Sequence, residues 1–124
     1  MTDARQLWTD WTALWNGDLD IAEKLVTADF QVHFGRDIPT ADELRGPYEL
    51  AKFIGDFRAR YENLTYRTVV GPIVDAAGGY VTGHWVADFL KDNAAERKPG
   101  IDILRIDGDR VAQAWSITGT RSLP

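Results

Sequence analysis

Apolar residues recur at helical spacing from the start of the chain: Leu7, Trp8, Trp11, Leu14 and Trp15 make one stripe, and Gly17 follows as a stop signal. A first helix is expected there. Asp18 or Asp20 can cap a second, shorter helix running to about Val26 and burying Ile21, Ala22, Leu25 and Val26. Near Asp29 the period changes to two, with Phe30, Val32 and Phe34 alternating with Gln31 and His33, the pattern of a strand. Residues 35–45 are polar, contain Pro39 and show no period, so they read as a covering loop. Gly46-Pro47 then opens a third helix with Leu50, Phe53, Ile54, Phe57 and Tyr61 on its buried face.

From Leu64 onward β-branched and aromatic residues alternate with turn signals, which predicts strands near 64–75, 80–90, 100–107 and 110–120. Ala76-Ala77-Gly78-Gly79 and Gly108-Asp109 are tight turns, so the flanking strands should be antiparallel neighbours. Residues 91–99 are charged and irregular and read as an exposed tip. No repeat or linker interrupts the pattern, and 124 residues suit a single domain spanning 1–124.

Composition narrows the partners. A hydrophobic fraction of 44% argues for a folded core, and a net charge of -5 is the wrong sign for neutralising phosphates, so nucleic acid is not expected. The chain has no cysteine, which removes disulfides, thiolate nucleophiles and cysteine-ligated metals. The polar stretch Met1 to Arg5 runs into an amphipathic segment, and no apolar run reaches the roughly 18 residues of a membrane span. A soluble, cytoplasmic protein without a membrane partner is expected.

Several local stretches resemble the landmarks of one family. They are Trp15-Asn16-Gly17-Asp18, Ala28-Asp29-Phe30-Gln31-Val32-His33, Leu44-Arg45-Gly46-Pro47-Tyr48-Glu49, and Gly100-Ile101-Asp102-Ile103-Leu104-Arg105-Ile106 followed by Asp107-Gly108-Asp109-Arg110-Val111 and Trp115. Their order and spacing resemble SnoaL-like, polyketide cyclase-type proteins of the nuclear transport factor 2-like superfamily, over nearly the whole chain. The resemblance implies an α+β fold in which a cone-shaped, curved antiparallel sheet wraps around three N-terminal helices, with a pocket at the wide end. It also implies a homodimer joined through the outer sheet face. Members of the superfamily include isomerases, dehydratases, cyclases and proteins without activity, so the fold does not settle the chemistry.

Asp102 is the leading catalytic candidate, because it interrupts a strand otherwise built for burial and a buried carboxyl is costly unless paired. In steroid-isomerase members, the aspartate of a similar Ile-Asp-x-x-Arg stretch is kept protonated by its apolar site and donates a hydrogen bond to the substrate oxyanion. The other reading of Asp102 is a structural carboxylate paired with an arginine. Arg105 is not its natural partner, since alternation puts Asp102, Leu104 and Ile106 on one face and Ile103 and Arg105 on the other. The aspartate that serves as base in those isomerases would fall at about Phe34, which puts steroid isomerisation in doubt. His84 and His33 are the two groups that can titrate near neutrality as a base, each with a structural alternative, and alternation turns His33 away from Phe34. Whether His84 or Trp85 looks inward depends on register.

The expected pocket walls are Trp11, Trp15, Phe34, Phe57, Trp85 and Trp115, the last because family members place an aromatic there against the ligand. No metal site is expected, since His84 and Asp88 would stand roughly 13 Å apart along a strand. No phosphate-cradling glycine loop or nucleophile elbow is present, so no cofactor is implied. The leading expectation is a cofactor-independent acid/base enzyme acting on a small hydrophobic organic molecule. The alternatives are a non-catalytic ligand-binding dimer, and a protein-interaction module whose cone is filled by side chains.

Overall fold

The computed structural model describes residues 3–124; Met1 and Thr2, the first part of the polar N-terminal stretch, lie outside the described residues. Helix α1 runs Ala4–Trp15, opened by Asp3, whose carboxylate accepts from the Arg5 backbone N–H at 3.0 Å. Its predicted stripe of Leu7, Trp8, Trp11, Leu14 and Trp15 is buried. Gly17 stops it with φ 109, a left-handed conformation that costs glycine little.

The second helix is shorter than expected. A 3-10 turn, Leu19–Ile21, leads into α2, Ala22–Leu25, and Asp18 makes no side-chain cap. Strand β1 already begins at Val26 and runs to Phe34, with an irregularity between Val26 and Gln31. The change of period at Asp29 therefore falls inside that irregularity and not at the start of the strand. The segment 35–45, expected as a loop, contains a single helical turn, α3, Pro39–Asp42, with proline in the first turn. Helix α4 is Gly46–Arg58; Leu50 and Ile54 are fully buried, while Phe53 and Phe57 are partly buried.

Strands β2 (Glu62–Val74), β3 (Tyr80–Lys91), β4 (Ala94–Asp107) and β5 (Arg110–Thr118) complete one curved sheet in the order β1-β5-β4-β3-β2. The four later strands are antiparallel neighbours, whereas β1 joins parallel to β5. The charged tip expected at 91–99 is a tight turn. Asp92 and Asn93 both take positive φ, 53 and 65, the pattern of a type I′ hairpin, and pairing continues from Lys91↔Ala94 inward. The charged residues Glu96, Arg97 and Lys98 lie on a strand that overhangs the core and stays exposed.

The main core lies between the helices and the concave sheet face, from Trp8, Trp11 and Leu14 through Phe30, Leu50 and Ile54 to Val81, Leu104 and Ala114. Trp8 lies flat against β3 because Gly83 lacks a side chain; a Cβ there would come 2.5 Å from the indole. Its N–H donates to the Thr68 hydroxyl at 2.9 Å, which ties α1 to β2. Among the described residues, no helix is long and apolar enough to cross a membrane.

Candidate functional site

A cavity of about 820 Å³ opens at the wide end of the sheet, at the upper end of the range for small-molecule pockets. The cone is therefore not filled by its own side chains. Helix α1 contributes Trp8, Trp11 and Trp15, α4 contributes Phe53 and Phe57, and β1, β2 and β3 contribute Phe34, Tyr66 and Trp85. Asp102 and Ser116 line it from β4 and β5. Trp15 is the hub of the wall, meeting Phe34, Phe53, Phe57 and Tyr66 edge-on at ring-centroid distances of 5.9 to 6.5 Å. Such edge contacts hold aromatic rings more firmly than area burial alone.

Asp102 is only 6% exposed. Trp11 donates its indole N–H to Asp102 Oδ2 at 3.0 Å, linking the first helix to the fourth strand. Asp102 Oδ1 has no hydrogen-bond partner among the described residues. Burial pushes the carboxyl above the usual carboxylate range, because a charge there loses its water. Ser116, Trp11 and Trp85 pull partly against that shift, each presenting a donor that favours the ionised form. Of the three, only Trp11 completes a full hydrogen bond; Ser116 stands opposite Asp102 on β5, and the Trp85 N–H approaches without closing. Among the described residues no arginine pairs with Asp102, and Arg105 is on the opposite face.

Tyr66 is the second polar group of the cavity. Burial raises its hydroxyl pKa well above the ordinary value, with the Asp102 charge adding and Arg58 opposing. Asn16, at the end of α1, clasps the Tyr66 backbone from both sides, accepting its N–H at 2.7 Å and donating to its carbonyl at 3.0 Å. Arg58 closes the same corner by donating to the carbonyls of Trp15 at 2.8 Å and Leu64 at 2.9 Å.

The structure brings Asp102, Trp11, Trp15, Phe34, Phe57 and Trp85 together around this cavity and leaves His84, His33 and Trp115 out of it. His84 pairs with Ile101 on the outer face; it is 8% exposed and its Nε2 has no partner among the described residues. His33 and Trp115 are also on the outer face, stacked at 5.5 Å. A histidine base beside Asp102 is therefore corrected, and so is Trp115 as a pocket wall. The physical cause for Trp115 is a bulge. Pairing between β4 and β5 shifts by one residue between Arg105 and Ile106, so Asp102 meets Ser116 where an unbroken hairpin would set it against Trp115.

Tyr66, Ser116, Trp8 and Phe53 line the cavity without having been singled out for it. Asn93 held the missed signal for β3. Counting back from a two-residue Asp92-Asn93 turn pairs Gly83 with Asp102 and Trp85 with Gly100, which sends Trp85 inward and His84 outward. Among the described residues, no group of three or more His, Asp and Glu side chains is arranged to hold a metal ion.

The SnoaL-like domain family matches residues 6–120, and the chain belongs to it. No curated protein matches the chain. Among solved structures it is similar to a proposed polyketide cyclase from Acidithiobacillus ferrooxidans, with 18% identity, TM-score 0.79, and coverage of 93% of this chain and 87% of that one. It is similar also to IdmH, a proposed polyketide cyclase from Streptomyces antibioticus, at 15% identity, TM-score 0.72, and 94% and 91% coverage. A protein of ketosteroid isomerase-like fold from Catenulispora acidiphila, in complex with trimethylamine, shares 18% identity with TM-score 0.72 over 94% and 85% of the two chains. These likenesses establish the ketosteroid isomerase-like fold.

Proposed function

We propose that this protein is a cofactor-independent acid/base enzyme of the isomerase, dehydratase or cyclase kind, acting on a small hydrophobic compound that carries a carbonyl group. The observation that supports the reading is Asp102, a carboxyl buried at an aromatic cavity, held by an indole N–H and opposed by no cation. Burial favours the protonated form of such a carboxyl, and in that form it can donate to a developing oxyanion. The Tyr66 hydroxyl, also kept neutral by burial, is the second donor. A carbonyl oxygen placed between them gains charge as an α-carbon gives its proton to a carboxylate of the cavity lining, Asp37, Glu49 or Asp56, and the aromatic walls around the two donors strengthen both hydrogen bonds. Trp11 is the residue that orients Asp102, and Trp15, Phe34, Phe57 and Trp85 form the walls.

The test needs no knowledge of the natural substrate. 2-Tetralone is a flat bicyclic ketone that exchanges α-hydrogens for deuterium through its enolate, and proton NMR reads the rate. The protein should accelerate exchange, and Asp102→Asn should lower that acceleration by about 100-fold or more, the usual weight of a positioned acid or oxyanion donor. No acceleration by the parent protein would refute the enzyme reading. One observation favours a second reading, a non-catalytic ligand-binding protein: no histidine lies beside Asp102 to serve as base. In that case 2-naphthol, which resembles the enol of 2-tetralone, should bind without any exchange of the ketone.

We also propose that two copies associate through the outer sheet face. Val70, Ile73, Tyr80, Ile101, Ile103 and Ile117 are exposed there, a continuous apolar surface of the kind that marks an interface.

A further inference from the structure

The cavity holds two buried polar atoms that match each other and are both unspent: the Trp85 indole N–H and Asp102 Oδ1. An indole nitrogen can only donate, and an ionised carboxyl oxygen can only accept. A glycine lets the indole lie toward Asp102. Gly100 is the residue opposite Trp85 in the β3–β4 pairing, and a Cβ on it would come 2.0 Å from the Trp85 indole. Because Gly100 has none, the indole lies flat across β4, and the next inward residue along that strand is Asp102.

We infer that Trp85 is the donor that receives Asp102 Oδ1 as the acid passes its proton to the enolate oxygen of the substrate, and that Gly100 is the positioning residue that makes this possible. The inference rests on the reading of Asp102 as the acid of the site. Trp11 already occupies Oδ2, so the transferable proton sits on Oδ1. While Oδ1 carries that proton it offers the Trp85 N–H little. Once the proton leaves, Oδ1 becomes a strong acceptor and the indole closes on it with a charge-assisted hydrogen bond. The pair thus stabilises the product of proton donation more than the resting acid, which is the condition for helping the step. The groups facing Asp102 are Trp11 from α1, Tyr66 from β2, Trp85 from β3 and Ser116 from β5, with Arg58 of α4 acting on Tyr66; His84 is on the far side of the sheet.

Carbon-detected NMR of protein labelled with [13C]aspartate follows the Asp102 carboxyl directly, its signal identified by its loss in Asp102→Asn. Trp85→Phe keeps a ring over Gly100 and removes the donor, so the Asp102 titration should move to higher pH. Gly100→Ala, which displaces the indole, should move it in the same direction. The double variant should shift no further than Trp85→Phe alone, since both changes remove one interaction. An unmoved titration in Trp85→Phe, or a Gly100→Ala shift that persists in full when Trp85 is already Phe, would overturn the inference. Should Gly100→Ala not fold, Trp85→Phe decides by itself. The titration needs no substrate, so its failure is separate from a failure of 2-tetralone exchange.

Discussion

Asp102 couples the stability of the protein to its chemistry. Its carboxyl pKa is raised in the folded state, chiefly by burial, whereas in the unfolded chain it returns to the ordinary range. The folded protein then holds more protons between those two values, so stability is fullest below the unfolded pKa and falls as pH rises through the folded one. Asp102→Asn keeps the shape and the acceptor for Trp11 but cannot ionise. Its advantage over the parent should grow with pH across that window, measured by urea unfolding at a series of pH values, and an advantage that shrinks with pH would contradict the burial argument. This residue was legible in the sequence, because a lone carboxyl in Gly-Ile-Asp-Ile-Leu has no ordinary reason to be there. Tyr66 and Ser116 were not, since each is an unremarkable residue of its strand until register sets it beside Asp102.

At the scale of elements, periodicity identified what was locally encoded and missed what depended on pairing. The stripe on α1 is a property of nine consecutive side-chain directions, so it can be read without knowing the neighbours. The same holds for Leu50 and Ile54 on α4. Strand faces are different, because one extra residue inverts everything beyond it. The bulge between Arg105 and Ile106 leaves Val111 and Ala112 both buried, and from there outward Trp115 and Ile117 turn away from the cavity while Ser116 turns in. On β3 the difficulty was the reverse. Charge at Glu96, Arg97 and Lys98 masked a regular hairpin, although Asp92-Asn93 is a pair that tolerates two successive positive φ angles. A long hairpin overhanging the core needs no apolar residues at its end, and so it carries no alternation to read.

Across the whole molecule the two faces of the sheet divide the work. The concave face carries Asp102, Trp85 and Ser116, and the convex face carries an apolar surface with Ile101 46% and Ile117 58% exposed. His84 sits within that surface with its Nε2 unpartnered, beside Val70 and Ile101 in the ladder. A buried polar group without a partner costs free energy that a second copy can restore. Analytical ultracentrifugation should therefore find a dimer, and Ile103→Lys at the centre of the face should give a monomer with an unchanged far-UV spectrum; a parent protein that stays monomeric at high concentration would exclude the interface. The proposed chemistry turns on where a ligand goes. A crystal structure with 2-naphthol tests this most directly: its hydroxyl should lie within hydrogen-bond distance of Asp102 and its rings among Trp15, Phe34, Phe57 and Trp85. Naphthol bound only on the outer face, or in the cavity with its hydroxyl turned to the mouth, would contradict it.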